Sequence, residues 1–336
     1  MEDETLMSSG APAGAERRAL AVLVIGSLNM DLVARCPRIP APGETILGSG
    51  FALHPGGKGA NGATAAARLV AGPGLGPGPD TSIALLGAVG RDDNGAALLR
   101  NLRERGVDAA LVDERAGVPT GVALIAVSDE GENSIVVVPG ANARLRPEDV
   151  EAAMPALAPR VVLLQMEIPA ETVERAAILG RRAGARVLLD PAPAPASLSP
   201  ALLAAVDALS PNEGELAALT GMPVGTEDEA TRAAEELRRR GVAAVVVKRG
   251  EQGALIVDGD GARAVPAPRV AVVDTTGAGD CFDGALAMAL AEGQDLDRAT
   301  RFATHAAALA CTRLGAQEAQ PARGDVERLL RGSDTA

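Results

Sequence analysis

The stretch Ala19-Leu20-Ala21-Val22-Leu23-Val24-Ile25-Gly26 decides the fold class. It is a continuous apolar run closed by a glycine, with no polar residue at alternate positions. A strand with one wet face alternates. A run of this kind needs cover on both faces, as in a buried parallel strand. Similar runs recur at Ser82–Gly87, Arg160–Met166, Arg186–Asp190 and Ala243–Lys248. Between them lie Ala/Arg/Glu-rich stretches of helical period: Gly59–Val70, Gly95–Arg105, Ala170–Ala183 and Thr226–Arg240. Strands alternating with helices predict an α/β fold. The expected architecture is a Rossmann-like three-layer α/β/α sandwich around a mainly parallel sheet.

Two stretches break the alternation. Met30–Pro55 has no helix signal and is punctuated by Pro37, Pro40, Pro42 and Gly43. Gly121–Gly140 reads as two strands, Val122–Ser128 and Asn133–Val138, around a turn at Asp129–Glu132. Together they predict an antiparallel flap, a small β lid from insertions at about 30–55 and 118–140. The Pro/Gly run Ala71–Asp80 reads as a surface loop. Residues 1–18, acidic and then small and polar, read as a disordered tail ahead of one large domain at 19–330.

Composition removes several function classes. The 336 residues suit one large α/β domain. Thirty-two basic against 44 acidic residues give a net charge of −12, which repels a phosphate backbone, so no nucleic acid is expected. With no Trp, no Tyr and three Phe, neither a base-stacking platform nor an aromatic membrane belt is available. No segment reaches the length of an apolar membrane span, and the start resembles no signal peptide. Three cysteines match no zinc spacing and point to a reducing, cytoplasmic setting. Lys stands only at 58 and 248, so 30 of the 32 basic residues are Arg. GC-rich coding explains the scarcity but not why those two positions keep an ammonium.

Three segments carry chemistry. In Val270–Asp280 an extended apolar stretch enters a Gly277-Ala278-Gly279 turn, and a helix follows with apolar positions at 282, 285, 286, 289 and 290. Free amides and the positive helix end meet there, which suits an anion. Asp280 in the first turn could take a proton from an attacking hydroxyl, or merely cap the helix. Asp274, Thr275 and Thr276 add more oxygens than capping needs. The second segment, Gly56-Gly57-Lys58-Gly59-Ala60-Asn61, enters a small-residue helix but lacks P-loop spacing. The third, Gly26–Asp31, follows the first strand, where open α/β sheets bind ligands. Asn29 and Asp31 would point the same way, toward vicinal hydroxyls, although taken alone an Asx turn is the stronger reading. Glu167, Asn212 with Glu215, and Lys248 to Gly253 end other strands. Asn212 and Glu215 are spaced either for one magnesium–water cluster or for a capping box.

These segments resemble the ribokinase-like carbohydrate kinases, the PfkB family, over about residues 20–322. The resemblance rests on Gly26–Asp31, Gly56–Asn61, Gly87–Asp92, Asp129–Asn133 with Gly140–Asn142, Asp190–Ala194, Asp274–Asp280 and Thr312–Gln317. It implies ATP-dependent phosphorylation of a sugar, D-ribose at O5, with Asp280 as general base and the amides of Gly277, Ala278 and Gly279 as anion hole. Asn29, Asp31, Gly57, Lys58, Asn61 and Glu167 fall on sugar-holding positions. Asn212 and Glu215 fall on the magnesium- and phosphate-organising motif. Lys248, Gly250 and Gly253 fall on the nucleotide loop, with Thr304 and His305 near the adenine. Asp274, Thr276, Ala310, Arg313 and Gly315 fall on an activating potassium site, whose last position, usually Ser, is Ala319 here. The resemblance also implies a homodimer through the lid. Another sugar, a nucleoside or a phosphosugar as substrate stays open, as does a non-catalytic sugar or nucleotide sensor.

Overall fold

In the computed structural model, residues 17–70 and 82–333 are described. The tail up to residue 16 and the 71–80 loop lie outside them. Arg18, read as tail, opens the first strand, β1 (Arg18–Ile25). After it come β2 (Asn29–Cys36), β3 (Gly50–Gly56), α1 (Lys58–Arg68), β4 (Ile83–Gly90), α2 (Asp93–Glu104) and β5 (Asp108–Arg115). The chain continues through β6 (Gly121–Ser128), β7 (Asn133–Val138), α3 (Pro147–Ala153), β8 (Leu157–Leu164), α4 (Ala170–Arg182) and β9 (Arg186–Leu189). Next are α5 (Pro200–Ala205), β10 (Ala208–Leu209), α6 (Glu213–Thr220), α7 (Glu227–Arg239), β11 (Ala244–Lys248), β12 (Ala254–Asp258) and β13 (Gly261–Val265). Three helices close the chain: α8 (Ala278–Ala291), α9 (Leu296–Ala310) and α10 (Arg323–Ser333).

The large sheet runs β13-β12-β11-β10-β9-β8-β1-β4-β5 and is parallel except at the β11–β12–β13 edge. Both faces of β1 are covered, as its unbroken apolar run requires. Val22 and Val24 pack into a core with α1, α2, α8 and α9; Leu23 and Ile25 pack into a second core with α3, α4, α6 and α7. Truncating one such fully buried side chain, Leu23→Ala for example, costs about 2–5 kcal/mol.

The second sheet has the order β3-β2-β6-β7. Its outer pairs are antiparallel, but β2 and β6 run parallel, from Asn29↔Gly121 to Cys36↔Ser128. The expected antiparallel flap is therefore a mixed sheet. The parallel pair joins strands separated by β3, α1, β4, α2 and β5, a long-range pairing that no local turn signal announces.

Helix α8 also departs from the one-face reading. Every residue from Asp280 to Ala291 is buried. The helix is sandwiched between the sheet, α1 and α9, and its small residues permit the approach. A Cβ on Gly284 would lie 2.5 Å from the Gly62 carbonyl oxygen. This close crossing of α1 and α8 brings their N-terminal turns together.

Candidate active site

The carboxyl ends of β1, β8, β9 and β11 meet the N-termini of α1 and α8. Gly57, at φ +88°, caps α1, and its Cβ would stand 2.6 Å from the Asn29 amide nitrogen. A Cβ on Gly59 would stand 2.6 Å from the Gly26 carbonyl carbon. Only glycine lets this helix start rest on the end of β1. Lys58 and Asn61 are thereby carried to Asp280, which is 8% exposed in the first turn of α8. Asn61 Nδ2 donates to Asp280 Oδ2 at 2.8 Å, and Lys58 Nζ stands 3.6 Å from Oδ1.

The two lysines of the chain converge on one buried carboxylate, Asp190, directly after β9. Lys58 Nζ is 3.7 Å from its Oδ2, and Lys248 Nζ is 3.1 Å from its Oδ1. Lys248 also donates to Asp283 Oδ2 at 2.9 Å. The field of Asp280 raises the Lys58 pKa against the opposing effect of burial, with Asp190 and Glu167 adding to it. Burial lowers that of Lys248, but Asp190 and Asp283 outweigh it, so this ammonium too is held charged. Burial pushes the Asp283 carboxyl up, against the pull of Lys248. The scarcity of Lys thus acquires a reason. Each ammonium sits in a nest of acids, where position and charge both matter.

On the lid side, Glu167 Oε2 accepts from Ser27 Oγ at 2.6 Å, from Asn29 Nδ2 at 3.4 Å and from the Lys58 amide at 3.3 Å. Asn142 Nδ2 donates to Asn29 Oδ1 at 2.8 Å and fixes that side chain. Asp31, two residues on along β2, fits because Gly56, the diagonal neighbour on β3 that pairs with Asn29, has no Cβ; one there would lie 2.2 Å from Asp31 Oδ2. Burial, helped by the carboxylates of Glu167, Asp280 and Glu318, pushes the Asp31 pKa up to about 7. The sugar-holding positions inferred from the sequence, Asn29, Asp31, Gly57, Lys58, Asn61 and Glu167, therefore form one polar cluster around Asp280.

Beyond Asp280 lies a cavity of about 250 Å³ bordered by Lys248, Gly250, Gly253, Ala278, Gly279 and Thr304. Its other walls include Val272, Phe282 and Ala307, an apolar lining suited to a flat aromatic base. Gly277 caps α8 in the left-handed region, at φ +71°, and a Cβ there would meet Ala316 Cβ at 2.8 Å. The first-turn amides have no intrahelical acceptors and carry the positive end of the helix dipole. One differs from the sequence reading. The Ala278 amide donates to the Thr275 carbonyl at 3.2 Å, so Gly277 and Gly279 are the better placed donors. A Cβ on Gly279 would lie 3.6 Å from Lys248 Nζ, so the ammonium borders this cradle.

Other positions are placed more ambiguously. Asn212 and Glu215 form a full capping box: Glu215 Oε2 accepts from the Asn212 amide, and Asn212 Oδ1 from the Glu215 amide, both at 2.8 Å. Burial and Asp190 raise the Glu215 pKa, and Lys248 and Lys58 pull it down. Asp274 Oδ1 accepts from the Thr276 amide and hydroxyl at 2.9 and 2.6 Å, and Oδ2 from the Gly315 amide at 2.9 Å. These bonds unite three of the six cation positions inferred from the sequence. Ala310 accepts from the Arg313 amide at 3.4 Å, and Ala319 is a buried methyl. His305 is buried away from the cavity lining, with its ring bonded to Arg301 O and Ser333 Oγ. Thr304 does border the cavity. Among the described residues, no group of three or more His, Cys, Asp or Glu side chains is placed to hold a metal, and no helix is long and apolar enough to cross a membrane.

Sequence reading assigned no role to Asp283 or Gln317. The signal for Asp283 was an acidic residue three positions after Asp280, on the same side of a helix otherwise made of small and apolar residues. Gln317 sits in an irregular loop, where no periodicity marks its full burial.

The pfkB family carbohydrate kinase model matches residues 19–323. A Bacillus subtilis ribokinase is 39% identical over 92% of this chain and 99% of its own length. A Salmonella typhi deoxyribokinase is 38% identical over 89% of this chain and 95% of its own. The structure of Arabidopsis thaliana ribokinase complexed with ribose and ATP superposes with a TM-score of 0.83 at 34% identity, covering 93% of this chain and 99% of that one. The chain belongs to the PfkB family of carbohydrate kinases. Its activity is that of the class, ATP-dependent phosphoryl transfer to a sugar.

Proposed function

We propose that the protein phosphorylates D-ribose at O5 to give ribose 5-phosphate and ADP. The observation that carries this is the Asp280 carboxylate, held by Asn61 and Lys58 at the point where the polar cluster under the lid meets the cradle of α8. The sugar lies between Asn29, Asp31 and Glu167, with its primary hydroxyl toward Asp280. Asp280 takes the hydroxyl proton as O5 attacks the γ-phosphorus, and ADP leaves in line. The amides of Gly277 and Gly279, with Lys248, balance the charge that develops on the transferred group. Thr304 and the apolar walls hold the adenosine end. A coupled ADP-release assay over a panel of pentoses and hexoses tests the reading. Release that ribose does not stimulate would overturn it.

A second reading is favoured by the Salmonella typhi relative, whose name gives deoxyribose as its substrate. The same assay separates them, because only a ribose enzyme loses kcat/KM when the 2-hydroxyl is removed.

Magnesium accompanies ATP, and Asn212 with Glu215 would orient its waters rather than ligate it, since both side chains are engaged in the capping box. A potassium ion fits the loop pair joined by Asp274, with backbone carbonyls at 274, 310, 313 and 315 as donors; the Ala319 methyl supplies none. When bound, it would add fixed positive charge beside the cradle. The lid closes over the sugar and excludes water, which competes for the γ-phosphate. Opposite Asp31, the register aligns Leu53, Leu32, Leu124 and Val136 on one face, with Leu53, Leu124 and Val136 roughly half exposed. Such a patch suits a second copy and a homodimer. Sedimentation of wild type against Leu124→Asp checks this, and an unchanged mass would count against it. The three free thiols suit a reducing, cytoplasmic setting.

A further inference from the structure

Asp280 is held at one end of a hydrogen-bond chain that runs to Arg105 at the C-terminal end of α2. Asn61 Nδ2 donates to Asp280 Oδ2 at 2.8 Å. Gln317 Nε2 donates to Asn61 Oδ1 at 2.9 Å. Asn101 Nδ2 donates to Gln317 Oε1 at 2.7 Å, and Arg105 Nε donates to Asn101 Oδ1 at 3.0 Å. Arg105 Nη1 also donates to the Gln317 carbonyl at 3.1 Å, and Gln320 Nε2 to the Asn61 carbonyl at 2.8 Å.

The two ends of this chain differ in kind. A guanidinium only donates, and an ionised carboxylate only accepts. Each of the three amides between them has one donor end and one acceptor end. With Arg105 at one terminus and Asp280 at the other, a single direction of donation satisfies every link. Reversing any one amide opposes two oxygens on one side and two N–H donors on the other. Burial makes that reversal costly: Gln317 is fully buried and Asn61 is 6% exposed.

We propose that Gln317 is a positioning residue for phosphoryl transfer: it orients the Asn61 carboxamide so that its NH2 faces Asp280, with the direction set by Arg105 through Asn101. This rests on the reading of Asp280 as the base. Gln317 touches neither sugar nor nucleotide. It fixes which atom of Asn61 meets the carboxylate, and so where the carboxylate points.

The test compares two near-isosteric variants. Gln317→Glu keeps the acceptor for Asn101 but places a second acceptor against Asn61 Oδ1, which favours turning the Asn61 amide over. Gln317→Met removes both polar ends without opposing Asn61. Gln317→Glu should lose kcat by on the order of ten- to a hundredfold, the worth of one hydrogen bond to a charged group, with KM for ATP unchanged. Gln317→Met should lose less, although it departs further chemically. A purely structural role predicts the opposite order, with losses that follow the fall in melting temperature. A second readout needs no turnover. The Asn61 side-chain NH2 signal in ¹⁵N-labelled protein should respond to Asp280→Asn in wild type and cease to respond in Gln317→Glu. An Asn61 signal that still reports Asp280 in Gln317→Glu overturns the inference. Wild-type protein without sugar-dependent turnover would instead sink the functional reading, while the NMR comparison still decides the geometry.

Discussion

Replacing Asp190 by Asn should weaken the fold and tighten ATP binding at the same time. Asp190 is 1% exposed and faces Lys248 Nζ at 3.1 Å and Lys58 Nζ at 3.7 Å. At the effective dielectric of such sites each pair has a gross attraction of about 4 kcal/mol. The desolvation of a buried carboxylate offsets several kcal/mol of the total. Asn retains an acceptor for Lys248, and both lysines keep a second acid, Asp283 or Asp280. The net loss should be about 2–4 kcal/mol, a fall in melting temperature of roughly 3–6 °C for a chain of this size. ATP changes the comparison. In the ligand-free protein Asp190 competes with phosphate for Lys248, which borders the nucleotide cavity. Without Asp190 that ammonium is free to pair with phosphate. If about 1 kcal/mol of the pairing is released, the dissociation constant for ATP should fall roughly fivefold. Thermal melts with and without a non-hydrolysable ATP analogue, together with calorimetric titration, read both effects. The reasoning fails if Asp190→Asn is as stable as wild type, or if the variant binds the analogue more weakly.

Two further outcomes follow from the same geometry. The Asp31 pKa is raised from 3.8 to about 7 in the ligand-free fold. Ionising it there is penalised, so ligand-free stability should decline as pH climbs from about 4 to about 7, and Asp31→Asn should make that slope shallower, with Asp283, also raised by burial, supplying part of the remainder. In the proposed role the ionised form accepts the sugar hydroxyls, so KM for the sugar should fall as pH rises through about 7 while KM for ATP moves little; equal responses would detach Asp31 from the sugar. Potassium should raise the initial rate more than sodium at fixed ionic strength, and Ala319→Ser should lower the half-activating concentration. A flat response would leave the loop pair held by Asp274 with a structural role.

What the sequence disclosed depended on how local the signal was. β1, β4, β8, β9 and β11 were legible because a strand covered on both faces must be apolar at every position. β5 was not, because at the sheet edge only Ala109 is buried and polar residues such as Asp113 and Glu114 are exposed side by side, which leaves neither an apolar run nor an alternation. The lid strands were visible, but the parallel β2–β6 pair was not, since register across 90 residues leaves no mark in either segment. In the site, Lys58, Asn61 and Asp280 announced themselves beside glycines that the backbone requires. Apart from the family resemblance their meeting was hidden, because it depends on the Gly62–Gly284 crossing of two helices far apart in the chain. Asp190 stood in view at a strand end, yet only the folded sheet shows that both lysines reach it.

The proposed chemistry turns on Asp280 taking the proton from the attacking sugar hydroxyl. Asp280→Asn keeps the volume and an acceptor for Asn61 but removes the base. The measurement is single-turnover phosphoryl transfer to ribose in this variant, with ribose and ATP binding checked by calorimetry. Binding should stay near wild type, and the transfer rate should fall by on the order of 10²–10⁴. Transfer at the wild-type rate with both substrates bound would contradict it.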